Sequence, residues 1–220
     1  MPLTAPWARV GAKFRRAVPF GMNIKPFYVY QRAAFPADFC AKVIELGENL
    51  PRRVGDSLGH GEKARDDVKI RSTERGFFPR EPQYLWIYDY LLKFVNAANK
   101  QYWNFKIADT ELFQFGVYNV GQHYSWHVDQ FAEPYKAPDP AAGLTRKLSI
   151  TVQLDDTLDY DGGDFEMREP GDYDKVVRVD GIRARGSLVV FPSFVMHRVT
   201  PVTRGTRRSL VGWILGPPFV

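Results

Sequence analysis

Apolar residues recur along this chain with two different periods, and the change falls near Thr110. Before it, "FPADFCAKVIELGENL" (35–50) places Phe39, Val43, Leu46 and Leu50 on one face at helical spacing. Pro36 suits the first turn of that helix and Pro51 ends it. "PQYLWIYDYLLKFVNAANKQYW" (82–103) predicts a second helix with Leu85, Tyr88, Leu92 and Val95 on one stripe. Both stripes read as core. After Thr110 the segments "TELFQFGVYNV", "KLSITVQLD", "GDFEMRE", "KVVRVDG", "GSLVVFP" and "RRSLVGWIL" are short and rich in β-branched and aromatic residues. Gly, Asp and Pro turns divide them, which predicts six or more strands. Helices followed by strands imply an α+β class, a β-sandwich or barrel backed by helices.

Between these segments lie three stretches of another texture. Residues 1–25 combine Pro2, Pro6, Pro19, Gly11 and Gly21 with Arg9, Lys13, Arg15 and Arg16, and read as a basic arm. Residues 51–67 are rich in glycine and charge, a loop that leaves His60 in solvent. Residues 131–146, "FAEPYKAPDPAAGLTR", form a long Pro/Ala loop of the kind that often acts as a lid. "RSTERGFFPREP" reads as a capped turn entering the second helix, in preference to a grip for a nucleic-acid backbone. Arg71 is within reach of a site mouth, but a surface salt bridge is the expected reading. Residues 26–220 make one domain, with helical support over about 26–105 and a strand-built core over about 106–216.

Composition narrows the function classes only modestly. The chain has 220 residues, 45% of them hydrophobic, which suits a globular fold with a substantial core. No apolar run approaches the ~20 residues of a membrane helix. The N-terminus lacks the apolar stretch of a secretory signal, so a cytoplasmic location is expected. The net charge of +5 permits an acidic partner, nucleic acid included, without requiring one. Cys40 is the single cysteine and lies in a helical pattern, so it reads as a small core residue. A metal site here must draw on His, Asp or Glu.

The chemistry concentrates in "HYSWHVD" (123–129) and "FPSFVMHRVTPVTRGTRRSLVGW" (191–213). On a strand, His127 and Asp129 point to the same face and can hold one cation between them. His197, just after another predicted strand, supplies a third ligand. Two histidines and one carboxylate cover one face of an octahedral metal and leave the other open, as in non-haem Fe(II) oxygenases. Arg207 follows His197 by ten residues, and a turn at Arg204-Gly205 brings its strand back. Alternation then sets Arg207, Ser209, Val211 and Trp213 on one face, and Arg208, Leu210 and Ile214 on the other. An inward Arg207 is a buried cation that needs an anion, and a co-substrate carboxylate would pair with it bidentately. His123 is assigned to the opposite face from His127, as a surface or supporting residue.

The ordered combination "YNVGQHYSWHVD", "KLSITVQLDD", "YDGGDFE" and "HRVTPVTRGTRRSLVGW" resembles the prolyl-4-hydroxylase-type branch of the Fe(II)/2-oxoglutarate-dependent dioxygenases, and most closely the bacterial and phage PKHD-type hydroxylases, over roughly residues 70–215. The resemblance implies that His127, Asp129 and His197 bind Fe(II) and that Arg207 anchors the distal carboxylate of 2-oxoglutarate. It implies that Tyr118, Tyr124 or both contact the co-substrate, that Ser209 assists Arg207, and that Trp213 lines the barrel. The implied fold is a double-stranded β-helix, or jelly roll, flanked by the N-terminal helices. Dioxygen is the implied oxidant and ascorbate the implied reductant. Animal and plant prolyl hydroxylases usually carry Lys at the position of Arg207. Arg marks the PKHD-type branch and weakens any inference to a prolyl substrate.

The resemblance implies hydroxylation of a protein or peptide side chain, prolyl first, with release of succinate and carbon dioxide. Hydroxylation of a free amino acid or other small molecule is the alternative. Oxidative dealkylation of nucleic acid uses the same ligands, but that family carries a second Arg six residues after the anchor, where this chain has Trp213. A non-catalytic jelly-roll binding module fits least, since ligands and anchor are all intact. Oligomeric state is not readable from the sequence.

Overall fold

The two periods become two kinds of layer. The computed structural model describes residues 15–16, 26–54 and 71–219. Its N-terminal half supplies β1 (Arg15–Arg16), β2 (Val29–Gln31), helix α1 (Ala37–Glu48), β3 (Arg53–Val54), β4 (Glu74–Phe78), helix α2 (Leu85–Ala98) and β5 (Asp109–Thr110). A π turn, Asn99–Trp103, prolongs α2. Strands β6 (Phe113–Tyr118), β7 (Tyr124–His127), β8 (Thr145–Gln153) and β9 (Tyr160–Gly162) follow. The chain continues through β10 (Phe165–Glu169), β11 (Asp172–Arg178), β12 (Leu188–Pro192), β13 (His197–Val199), β14 (Val202–Gly205) and β15 (Arg207–Gly216).

A large antiparallel sheet has the order β1-β2-β12-β8-β15-β6-β4-β3, with β5 pairing the far end of β15. A smaller sheet has the order β11-β10-β13-β7, and β14 pairs with β9. From β6 onward the chain passes back and forth between the sheets. β6, β8, β12 and β15 lie in the large one, and β7, β10, β11 and β13 in the small one. This is a jelly-roll order.

Alternation along the large sheet divides its side chains between two cores. Phe113, Phe115, Leu148, Ile150, Leu210 and Ile214 join Phe39 and Val43 of α1 and Ile87, Leu91 and Phe94 of α2 in one apolar cluster. Each such side chain contributes roughly 1.5–3 kcal/mol on full burial. Tyr88 pins α2 to the sheet: its ring stacks on Phe113 at 4.3 Å and its hydroxyl donates to the Phe78 carbonyl at 2.6 Å. Helix α1 approaches so closely that a Cβ on Gly47 would lie 2.5 Å from the Phe115 ring. Between the two sheets, Phe165, Met167, Phe191, Val199 and Tyr118 form the second cluster.

Several expectations need correction. In α2 the buried residues are Ile87, Tyr88, Leu91, Phe94, Val95 and Ala98, whereas Leu85 is 44% exposed. Tyr88 and Val95 of the expected stripe are buried, while Leu85 and Leu92 lie at its edge and Ile87, Leu91 and Phe94 fill its centre. "RSTERGFF" is not a capped turn but β4, paired with β3 and β6; its Glu-Arg-Gly start conceals a strand whose partners lie far along the chain. The loop after β7 is folded on itself, with the Tyr135 N–H donating to the Leu144 carbonyl and Gly143 N–H to Tyr135. The expected arm, β1 excepted, and residues 55–67 of the glycine-rich loop, His60 among them, lie outside the described residues, while the loop's start holds β3. No helix among the described residues is long and apolar enough to cross a membrane.

Candidate active site

The site lies where β7 meets β13. His127 faces His197 across the ladder, and Tyr124 faces Val199, so three steps on β7 match two on β13. This bulge turns both Tyr124 and His127 to the interior, where simple alternation would separate them. Asp129 lies beyond the end of β7, and its N–H donates to the Ser193 carbonyl at 2.9 Å. His127 and Asp129 thus converge through a strand end and a loop contact rather than through pure strand periodicity. Ligand atoms of His127, Asp129 and His197 lie within 4.8 Å of one another, so the three form a group able to hold one metal ion.

Local bonds prepare each donor atom. Nδ1 of His127 donates to the Ser125 carbonyl at 2.8 Å, and Nδ1 of His197 to the Val195 carbonyl at 2.9 Å. Both rings are therefore held as the tautomer with a lone pair on Nε2, the atom facing Asp129 at 3.6 and 3.5 Å. Burial, helped by the neighbouring His127, lowers His197 to about 4, so it is neutral near pH 7. Burial pushes the Asp129 carboxyl upward, but the His197 and His127 rings, when protonated, and Arg146 outweigh it and hold the group well below its usual range. Its Oδ2 accepts from the Ser149 hydroxyl at 2.7 Å, and Ser149 meets Ser193 at 2.9 Å. A carboxylate and two imidazoles that present Nε2 suit a divalent first-row metal.

A chain of buried groups behind Asp129 carries no sequence signature. Register along β8 skips Lys147, since Leu148 pairs with Ile214 and Arg146 with Leu215. This bulge turns Arg146 inward. Its guanidinium donates to the Asp129 carbonyl at 3.2 Å and to Glu111, with Nη2 at 2.6 Å from Oε2, and its carbon lies 4.1 Å from the Trp213 ring centre. The Tyr135 hydroxyl also donates to Glu111. Ser149 could have been found by alternation along "KLSITVQ". Arg146, Glu111 and Tyr135 could not.

The cavity beside the three ligands is lined by Gln114, Tyr118, Tyr124, Arg207, Ser209 and Trp213, among others. β15 delivers Arg207, Ser209, Val211 and Trp213 to it, while Leu210 and Ile214 face the helices. Arg208 instead pairs with Asp155 at 2.7 Å and Glu48 at 2.8 Å, which separates it from Arg207. Arg207 is 2% exposed, and its Nε and Nη1 have no hydrogen-bond partner. The Trp213 Nε1 is likewise unpartnered. Gly163, at φ +59°, closes over the guanidinium stem; a Cβ there would lie 2.7 Å from Arg207 Cδ. In "YDGGDF" Tyr160–Gly162 is β9, Gly163 and Asp164 link it to β10, and Gly163 also shapes the space around Arg207.

Tyr118 lies opposite Arg207 in the ladder, its ring centre 5.3 Å from the guanidinium carbon. Tyr124 stacks on His127 at 3.4 Å, and burial raises its phenol pKa. Arg71 overturns the surface salt-bridge expectation. It is 4% exposed, lines the cavity, and sits 4.4 Å over the Tyr124 ring. No sequence signal marks it. His123 is outside the metal group, as expected, but for another reason: a four-residue spacing would keep it on the same face as His127. It lies before β7 begins, where its N–H donates to Ser72 Oγ at 3.1 Å.

Comparison with known proteins fits this geometry. Residues 113–215 match the sequence model of the 2OG-Fe(II) oxygenase superfamily. A PKHD-type hydroxylase of Alteromonas mediterranea is 35% identical over 100 residues, covering 46% of this chain and 41% of that protein. One of Caulobacter sp. (strain K31) is 37% identical over 103 residues, again 46% and 41%. The chain thus spans about two fifths of the length of these relatives. Among solved structures, a Pseudomonas putida prolyl-4-hydroxylase shares the fold at TM-score 0.58 and 23% identity, over 86% of this chain and 91% of that one. A Trichoplax adhaerens prolyl hydroxylase, in complex with a hypoxia inducible factor oxygen degradation domain peptide fragment, does so at 0.63 and 17%, over 86% and 83%.

Proposed function

We propose that the chain is a 2OG-Fe(II) oxygenase of PKHD-type character, as the match over residues 113–215 and the similar hydroxylases suggest, and that it is an Fe(II)- and 2-oxoglutarate-dependent dioxygenase that hydroxylates a protein or peptide side chain, prolyl first. The reaction consumes 2-oxoglutarate, dioxygen and a C–H bond, and yields succinate, carbon dioxide and a C–OH. The observation that carries this reading is one cavity holding both a His, Asp, His group and a buried guanidinium with two unpartnered nitrogens.

In this reading His127 Nε2, Asp129 carboxylate oxygen and His197 Nε2 hold the iron, which when bound activates dioxygen for decarboxylation of the co-substrate and attack on the C–H bond. Arg207 pairs with the distal carboxylate of 2-oxoglutarate, which supplies the anion that its buried and incompletely bonded guanidinium lacks. Ser209 and Tyr118 flank that carboxylate, Tyr124 shields the His127 side of the cavity, and Trp213 closes its floor. The low exposure of these groups keeps water from the reacting centre. The catalytic unit spans 26–220, a jelly roll flanked by α1 and α2, with residues 1–25 as an appended basic arm.

A protein or peptide substrate is supported by the hypoxia inducible factor peptide fragment held in complex by the similar Trichoplax adhaerens prolyl hydroxylase. The test is succinate release by the full chain with Fe(II) and labelled 2-oxoglutarate, alone and with proline-rich peptides, free amino acids and alkylated oligonucleotides. Peptides are expected to stimulate release most. Stimulation by oligonucleotides alone would replace the hydroxylase reading with a dealkylase one, and no release under any condition would end the dioxygenase reading.

A further inference from the structure

The cavity holds one more cation than its expected contents require. Fe(II) brings two positive charges and Arg207 one; Asp129 brings one negative charge and 2-oxoglutarate two. These cancel, and Arg71 is left over. It lines the same cavity and is 4% exposed, its Nε is buried without a hydrogen-bond partner, and no carboxylate pairs with it among the described residues.

Arg71 is also held in place. Its backbone bridges to Tyr124, the Ser72 N–H donates to the His123 carbonyl at 3.2 Å, and the His123 N–H returns to Ser72 Oγ at 3.1 Å. The guanidinium covers the Tyr124 ring, which in turn covers His127. Stacking on an aromatic ring recovers only part of what it costs to take an unpaired charge out of water. The ring therefore does not account for the burial. A neutral carbonyl would satisfy Nε but leave the charge; a carboxylate satisfies both, in the same forked geometry expected at Arg207.

We propose that Arg71 is a specificity residue that receives a carboxylate carried by the prime substrate, on the Tyr124 side of the cavity. This rests on the dioxygenase reading above. The same chemistry has three sources: a free amino acid, the C-terminus of a peptide, or an Asp or Glu side chain within one.

The experiment compares acid and amide partners as stimulators of succinate release by the full chain with Fe(II). The pairs are L-proline and L-prolinamide, a proline-containing peptide with free and amidated C-terminus, and an amidated peptide with an internal Glu or Gln. In the wild type one pair is expected to favour the acid by about tenfold or more, the size of a charge-assisted bond, and which pair does so names the source. In Arg71→Gln that ratio is expected to fall to near unity, while Arg71→Lys keeps most of it. Equal stimulation by acid and amide in every wild-type pair overturns the proposal, even where Arg71→Gln fails to fold. So does an unchanged ratio in a folded Arg71→Gln. Wild-type protein that releases no succinate with or without any partner instead removes the dioxygenase reading itself.

Discussion

The two faces of the large sheet are made by alternate residues of the same strands, yet they obey opposite rules. On the helix side, Phe113, Phe115, Leu148, Ile150, Leu210 and Ile214 are fully or almost fully buried in an apolar cluster. On the cavity side, Gln114, Thr151, Arg207, Ser209 and Trp213 are also buried, and several of their polar atoms have no partner. A buried polar atom left without any partner costs about 1–3 kcal/mol, so this face is suited to a polar ligand. One face holds the fold; the other keeps an energetic deficit that ligands offset. The difference teaches that stability and chemistry can be assigned residue by residue along one strand.

Substitutions on the two faces should therefore separate stability from turnover. The largest effect is expected on the cavity side: His127→Ala should abolish iron retention and bring succinate release to background, with thermal unfolding of the iron-free protein little changed. Wild-type turnover in that variant would sink the metal assignment, and unfolding would mean that the cavity face is also structural. On the helix side, Phe115→Ala should cost about 3–5 kcal/mol in denaturant unfolding and leave the 2-oxoglutarate KM as it was. A raised KM there would show that the faces are coupled. Arg207→Met should raise that KM by roughly 10- to 100-fold, the factor set by a bond to a charged group, without lowering the melting temperature of the ligand-free protein. The reverse pattern would make Arg207 a structural residue.

The smallest effect is a pH dependence confined to the helix side. Burial raises the Cys40 thiol from 9.0 to about 11. A folded value above the unfolded one means that the unfolded state loses its proton first. The neutral thiol's contribution is thus complete below pH 9.0 and declines as the pH rises toward about 11. Replacing Cys40 with Ala should flatten unfolding curves in that window, and an identical slope in both proteins would exclude the thiol as its source.

What the sequence disclosed follows the same division. His127, Asp129, His197 and Arg207 were legible because their chemistry is rare and their spacing sits on strong strands. Tyr124 beside His127 was named only by resemblance, since three-residue spacing alone would have put it outside; the bulge reversed that. Arg71, Arg146 and Glu111 look like solvent charges in sequence. Their burial depends on partners far along the chain and on the skipped Lys147. β4 was hidden because Glu74 and Arg75 look like surface charges in sequence, whereas Arg75 is buried in the fold. Helix α2 was found, but its apolar residues reach most of the way round, so the pattern alone did not separate the buried Ile87, Leu91 and Phe94 from the edge residues Leu85 and Leu92.

The imidazole latches carry an evolutionary consequence. Nδ1 of His127 and of His197 is held by a main-chain carbonyl two positions upstream, and every amino acid provides one. Mutation at 125 or 195 cannot delete that acceptor. The electronic state of both rings is inherited with the course of the backbone, so lineages can drift at the flanking positions without reopening the choice of which nitrogen stays free.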